Sequence, residues 1–111
     1  MDKSVKYKSV VRSIIQEYGS IKSPSSVLKN SIIIDDERGQ YMLLTSGWQK
    51  DSRTYGPYLH LEVQNNKVYV QYNGTDIHIA DELVERGVSK EDIVLEFQPP
   101  YSRQYTGFAI A

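Results

Sequence analysis

The chain has 111 residues, a formal net charge of −1, 24% charged and 40% apolar residues, and no cysteine. That length makes one domain, residues 1–111, with a modest core that self-association would help; the composition excludes a disordered chain, a disulfide framework and a thiolate metal site. No apolar run approaches the roughly 18–20 residues that span a bilayer, and the first residues lack the apolar stretch of a secretory signal, so a cytoplasmic protein with no membrane partner is expected.

The near-neutral total hides an asymmetry. Residues 1–30 carry six basic against two acidic side chains, and residues 76–96 carry two basic against seven acidic. A basic head can touch phosphate or be a solvated helix face, and an acidic stretch repels DNA while attracting a basic protein. Nine tyrosines against two phenylalanines and one tryptophan fit half-buried sheet faces and interfaces, where the ring is covered and the hydroxyl stays wet.

Residues 2–19 read as an amphipathic helix, with Val5, Val10, Val11, Ile14, Ile15 and Tyr18 as one apolar stripe and Gly19 as the stop. Ser20–Ser26 is a polar loop broken by Pro24. A strand is expected at Val27–Asp35, a turn at Asp36–Gly39, a second strand at Gln40–Trp48 and a polar loop at Gln49–Gly56. Leu59, Leu61 and Val63 alternate with polar residues, as do Val68, Val70 and Tyr72, on either side of Asn65-Asn66. Two asparagines tolerate positive φ, so they predict a two-residue hairpin. Its register sets Val63 against Val68, Leu61 against Val70 and Leu59 against Tyr72 on the oily face, and His60 against Gln71 on the mixed face. A helix is expected over Asp76–Arg86, capped by Thr75 or Asp76, with Ile79, Ala80, Leu83 and Val84 buried and Gly87 closing it. Ser89 caps a short turn, Ile93-Val94-Leu95 continues as strand or extended chain, Pro99-Pro100 stops regular structure, and the apolar tail Tyr101–Ala111 docks. The order of one helix, four antiparallel strands, a second helix and a docked tail is an α+β fold.

Signals for enzymes are sparse. The chain has no Gly-rich phosphate loop, no G-x-S-x-G and no H-E-x-x-H. His78 with Glu82, and Asp35-Asp36-Glu37, are weak constellations that read better as surface charge than as catalytic or metal sites. No catalytic residue, cofactor or metal is therefore assigned. Trp48, Lys50, Arg53, Tyr55 and Tyr58 fall within eleven positions. Interleaved aromatic and basic residues stack bases or anchor protein partners, and the acidic total favours a protein. His60 on the mixed sheet face, and Arg103 with Tyr105 near the C-terminus, complete the candidate binding residues.

The stretch Ile77–Ala111, IHIADELVERGVSKEDIVLEFQPPYSRQYTGFAIA, resembles the C-terminal signature of the XisI family. The matching positions run from Ile79-Ala80, Glu82-Leu83-Val84 and Gly87-Val88 through Lys90 and Asp92–Leu95. They continue in Phe97, Pro99-Pro100, Arg103, Thr106 and Phe108-Ala109. Upstream, Gly47-Trp48, Arg53, Tyr55-Gly56 and His60 match as well, so the likeness covers roughly the last two-thirds of the chain; Gly74 departs from the bulkier polar residue of the pattern. The resemblance implies a cyanobacterial cytoplasmic factor controlling DNA-element excision, in the founding setting during heterocyst differentiation. It implies association with a nuclease-fold XisH-like protein and the recombination machinery, and no catalytic residues. Beside this stand direct DNA binding through the basic helix and Arg53 or Arg103, an antitoxin-like inhibitor of the nuclease-like partner, and a hydrolase using His60 with a carboxylate. The first would show affinity falling steeply with salt.

Overall fold

The computed structural model describes residues 2–20, 28–103 and 106–109. Helix α1 spans Lys3–Gly19, and the Asp2 carboxylate caps it by accepting from the Ser4 amide at 3.1 Å. Strands β1 (Leu28–Asp35), β2 (Gln40–Gln49), β3 (Ser52–Gln64) and β4 (Lys67–Asn73) form an antiparallel meander. Helix α2 (Ile79–Glu85) and a 3₁₀ turn (Lys90–Asp92) lead into β5 (Ile93–Leu95), and α3 (Pro100–Arg103) follows. The sheet is α+β in class but has five strands in the order β1-β2-β3-β4-β5, with β5 parallel to β4. The expected all-antiparallel four-stranded sheet is corrected on that point: α2 carries the chain back along the sheet, and such a crossover returns the next strand parallel.

Helix α1 lies on one face. Tyr7, Val11, Ile14 and Ile15 are buried against Tyr41, Leu43, Leu59, Leu61, Val63, Val68 and Val70. The apolar stripe runs through Tyr7 and not Val5, which is 55% exposed; Tyr7, Val11, Ile14 and Tyr18 follow the helical spacing and Val5 falls off it. The helix comes close to the sheet at its end. A Cβ on Gly19 would stand 2.4 Å from the Ile32 side chain, so only glycine admits this approach. Helix α2 sits on the same side as α1, since Arg86 bonds Ser13 and Glu17 across the gap.

The hairpin at Asn65-Asn66 forms as expected, with φ of 53° and 58°. Val63 faces Val68 and Leu61 faces Val70, but His60 faces Tyr72 and Leu59 faces Asn73. A bulge between His60 and Leu61 shifts the register by one. Helix α2 begins at Ile79, later than expected, because Asn73 and Thr75 hold residues 73–77 in a side-chain-bonded turn; His78 is the cap residue and makes no side-chain cap bond. Gly87 takes φ 104° and the Val88 amide reaches the Leu83 carbonyl at 3.0 Å, the expected C-terminal closure. Pro100 opens α3 where a stop was expected, since proline is tolerated in a first helical turn. The tail docks through the Ala109 amide on the Ile93 carbonyl at 2.8 Å and a parallel bridge to Val94. Apart from Ser20, the loop expected over Ser20–Ser26 lies outside the described residues, as does Val27.

Candidate functional site

The face of the sheet away from α1 and α2 is the candidate site. Strand alternation brings Ile33, Met42, His60 and Tyr72 into one row across β1 to β4 on that side. Ile33 is 44% exposed and Tyr72 49%. Val94 on the same side is fully buried, so the open area ends at β5. Exposed contiguous apolar surface on a small protein marks a contact surface.

One end of this face is the β2–β3 hairpin. The expected loop Gln49–Gly56 is mostly strand: β2 continues to Gln49, β3 starts at Ser52, and Lys50 turns the chain at φ 55°. Trp48 therefore pairs with Arg53, and Ser46 pairs with both Lys29 and Tyr55. The Arg53 guanidinium lies 5.6 Å from the Trp48 ring centroid and 5.4 Å from that of Tyr55. Trp48 and Tyr55 are 57% and 65% exposed. Among the described residues Arg53 makes no ion pair. The rings favour the cation at this spot, and its N–H groups can still meet a carboxylate.

The middle of the face holds a polar relay. His60 Nε2 meets Gln40 Oε1 at 2.8 Å, and Gln40 Nε2 donates to Glu62 Oε2 at 2.6 Å. Burial pushes the His60 pKa below its ordinary value, and the Glu62 charge opposes this only in part. His60 is thus a neutral imidazole joined to an amide.

Trp48, Arg53, Tyr55 and His60 share one face. Arg103 serves elsewhere: its Nε donates to the Gln98 carbonyl at 2.9 Å, and its Nη2 reaches the Glu96 carbonyl at 3.2 Å and the Glu96 carboxylate at 3.4 Å. It ties down the segment after β5. Tyr105 lies outside the described residues. The sequence reading missed Lys29, Ile33 and Tyr72 as members of this face; Ile33 was signalled by the run Ile32-Ile33-Ile34 in a strand, whose middle residue must point opposite to its two neighbours.

The weaker constellations are accounted for within the chain. Asp35 accepts from the Arg38 amide at 3.0 Å, and Asp36 takes the Tyr41 hydroxyl at 2.8 Å and the Arg12 guanidinium. Burial, reinforced by Asp36, pushes the Tyr41 hydroxyl well above the ordinary tyrosine range. Glu82 pairs with Arg86. Among the described residues no three metal-ligating side chains converge. The basic head also meets the acidic stretch inside the molecule. Asp92 accepts from the Tyr7 hydroxyl at 2.5 Å and from Lys3 at 3.1 Å. Burial alone would raise the Asp92 pKa, but these two donors outweigh it and hold it below the usual value.

A family model described as XisI protein matches residues 1–110. The chain belongs to the XisI family. The match includes the N-terminal helix, beyond the two-thirds that the sequence motifs reached. The crystal structure of a XisI-like protein from Anabaena variabilis ATCC 29413 superposes with a TM-score of 0.90 at 38% identity, covering 97% of this chain and 99% of that one. That of the fdxN element excision controlling factor XisI from Anabaena variabilis ATCC 29413 superposes at 0.86 with 36% identity, over 99% of this chain and 100% of that one. No curated protein matches the chain. Among the described residues no helix is long and apolar enough to cross a membrane.

Proposed function

We propose that this chain is a non-catalytic regulatory protein of DNA-element excision, which acts by docking a nuclease-fold, XisH-like protein on the open sheet face. Family membership, and the excision-controlling role carried in the name of a relative of equal length, support the regulatory part. The observation that carries the docking part is the Trp48–Arg53–Tyr55 cluster, an exposed cation over two rings at the edge of an open row that also bears Ile33 and Tyr72. Such a cluster meets a carboxylate on a partner, with the rings covering apolar surface around it. His60 gives no support to a hydrolase, because it bonds an amide and no carboxylate directly. Direct DNA binding by the basic head is weakened because Lys3 and Arg12 are spent on Asp92 and Asp36.

Titration calorimetry against the purified partner tests this reading. Trp48→Ala or Arg53→Ala costs about 1–3 kcal/mol of binding, while Arg103→Ala lowers thermal stability. Full affinity in both hairpin variants, with the fold intact, removes the assignment.

A further inference from the structure

The two edges of the sheet are treated differently. The β5 edge is three residues long and is met by the chain's own Ala109, bridged to Val94. The β1 edge is eight residues long, and among the described residues no strand pairs with its outer side. It pairs with β2 residue by residue, with no bulge to twist it away, and contains no proline. Natural edges are usually short, bulged, proline-bearing or covered, because a free row of N–H and C=O groups recruits another strand. Here the row carries Ile32 and Ile33, 42% and 44% exposed.

We propose that β1 joins two copies of this chain. The strands pair antiparallel, edge to edge, with Ile32 on the two-fold axis and Lys29 of each copy opposite Asp35 of the other. The inference does not depend on the partner assigned above.

The strand's own sequence selects a second copy as the occupant. LKNSIIID carries its cation near one end and its anion at the other, so reversing it brings opposite charges together twice. A two-fold contact must be self-complementary in this way. The register is specific. With the axis at Ser31, Lys29 meets Ile33; with the axis at Ile33, Asp35 meets Ser31 and Lys29 runs past the strand end. Lys29 and Asp35 both point to the open side, with Ile33, so both pairs sit where their side chains are free to meet. Asp35 already accepts from the Arg38 amide at 3.0 Å and from its guanidinium at 3.1 Å, and a carboxylate has acceptor sites for a further donor. Pairing the seven residues Lys29 to Asp35 adds about six to eight backbone hydrogen bonds. The two-fold axis stands perpendicular to the sheet. It keeps both α1 helices on one side and joins the open faces of two copies into one ten-stranded surface, with both Arg53 stacks still exposed.

Light scattering and sedimentation at about 50 µM test the pairing. The expected species has twice the chain mass of 12.7 kDa. Lys29→Asp sets two carboxylates against each other at each end, and Asp35→Lys sets two ammonium groups; each weakens the dimer roughly tenfold or more. An equimolar mixture of the two variants restores it, because every cross-copy pair is again of opposite sign. Wild-type protein that stays monomeric, variants that dimerise as tightly as wild type, or folded variants whose mixture does not dimerise overturn the proposal. If Asp35→Lys unfolds the turn held by Arg38, Ile32→Cys decides the matter in a chain with no cysteine of its own. The pairing predicts a disulfide-linked dimer on oxidation, and its absence in folded protein contradicts the axis at Ile32.

Discussion

Arg53 and His60 are polar residues on the same sheet face with opposite roles. Arg53 is an exposed cation lying over the rings of Trp48 and Tyr55. His60 is kept neutral, because its ring is half-buried beside an amide. The second arrangement fixes a pH dependence. A histidine whose folded pKa lies below its unfolded value binds fewer protons when folded, so stability falls as pH drops below about 6.5. Thermal unfolding followed between pH 7 and 5 should show that fall, and His60→Gln should flatten it. An unchanged slope would show that His60 is not the titrating group. The composition of the Trp48–Tyr55 cluster was readable from the residues alone. Its geometry was not, since the polar string QKDSRTYG looked like a loop; it is strand because a tight turn at Lys50 lets both arms keep pairing beyond the core, where polar side chains cost nothing. Arg103 was singled out by the same chemistry and turned out to hold its own backbone, because nothing in the local sequence tells a guanidinium bonded within the chain from one that faces outward.

At the level of elements, the hairpin at Asn65-Asn66 was foreseen because its cause is local: two consecutive residues must take positive φ, and asparagine does so at low cost. Asn66→Gly should leave stability within about 0.5 kcal/mol, while Asn66→Val should lose about 1–2 kcal/mol in a denaturant titration. Equal stability for both would mean that the turn relaxes to another type. The bulges were not foreseen, because they depend on two strands at once. One falls beside Pro57, which pairs with Leu44 and has no N–H to give the ladder. Its consequence is a change of side. It puts Pro57, Tyr55 and Arg53 on the same side as His60 despite their odd numbers, and without it the stack would point toward α1. The fifth strand was visible as the run Ile93-Val94-Leu95, but its parallel pairing was not, since three residues carry no signal of direction.

For the whole molecule, α1 and α2 on one side of the sheet leave the other side open from β1 to β4, as far as the buried Val94 of β5. With 111 residues, the chain spends its apolar helix faces on one core and keeps Ile33, Tyr72, Trp48 and Tyr55 outside it. Of the charge asymmetry seen along the sequence, Lys3–Asp92 joins the basic head to the acidic stretch inside the molecule, and Arg12–Asp36 takes a second cation of the head. The proposed docking surface is the sheet face and its basic, aromatic corner, where Trp48 and Tyr55 are exposed beside Arg53.

The central claim is that this corner docks the nuclease-fold partner. Co-expression of the chain with an XisH-like protein, followed by size-exclusion chromatography with light scattering, tests it most directly. The account predicts a stable complex with the wild-type chain that is lost with the Trp48→Ala/Arg53→Ala double variant, while that variant keeps its own fold and melting temperature. A complex of unchanged mass and yield with the double variant would contradict it.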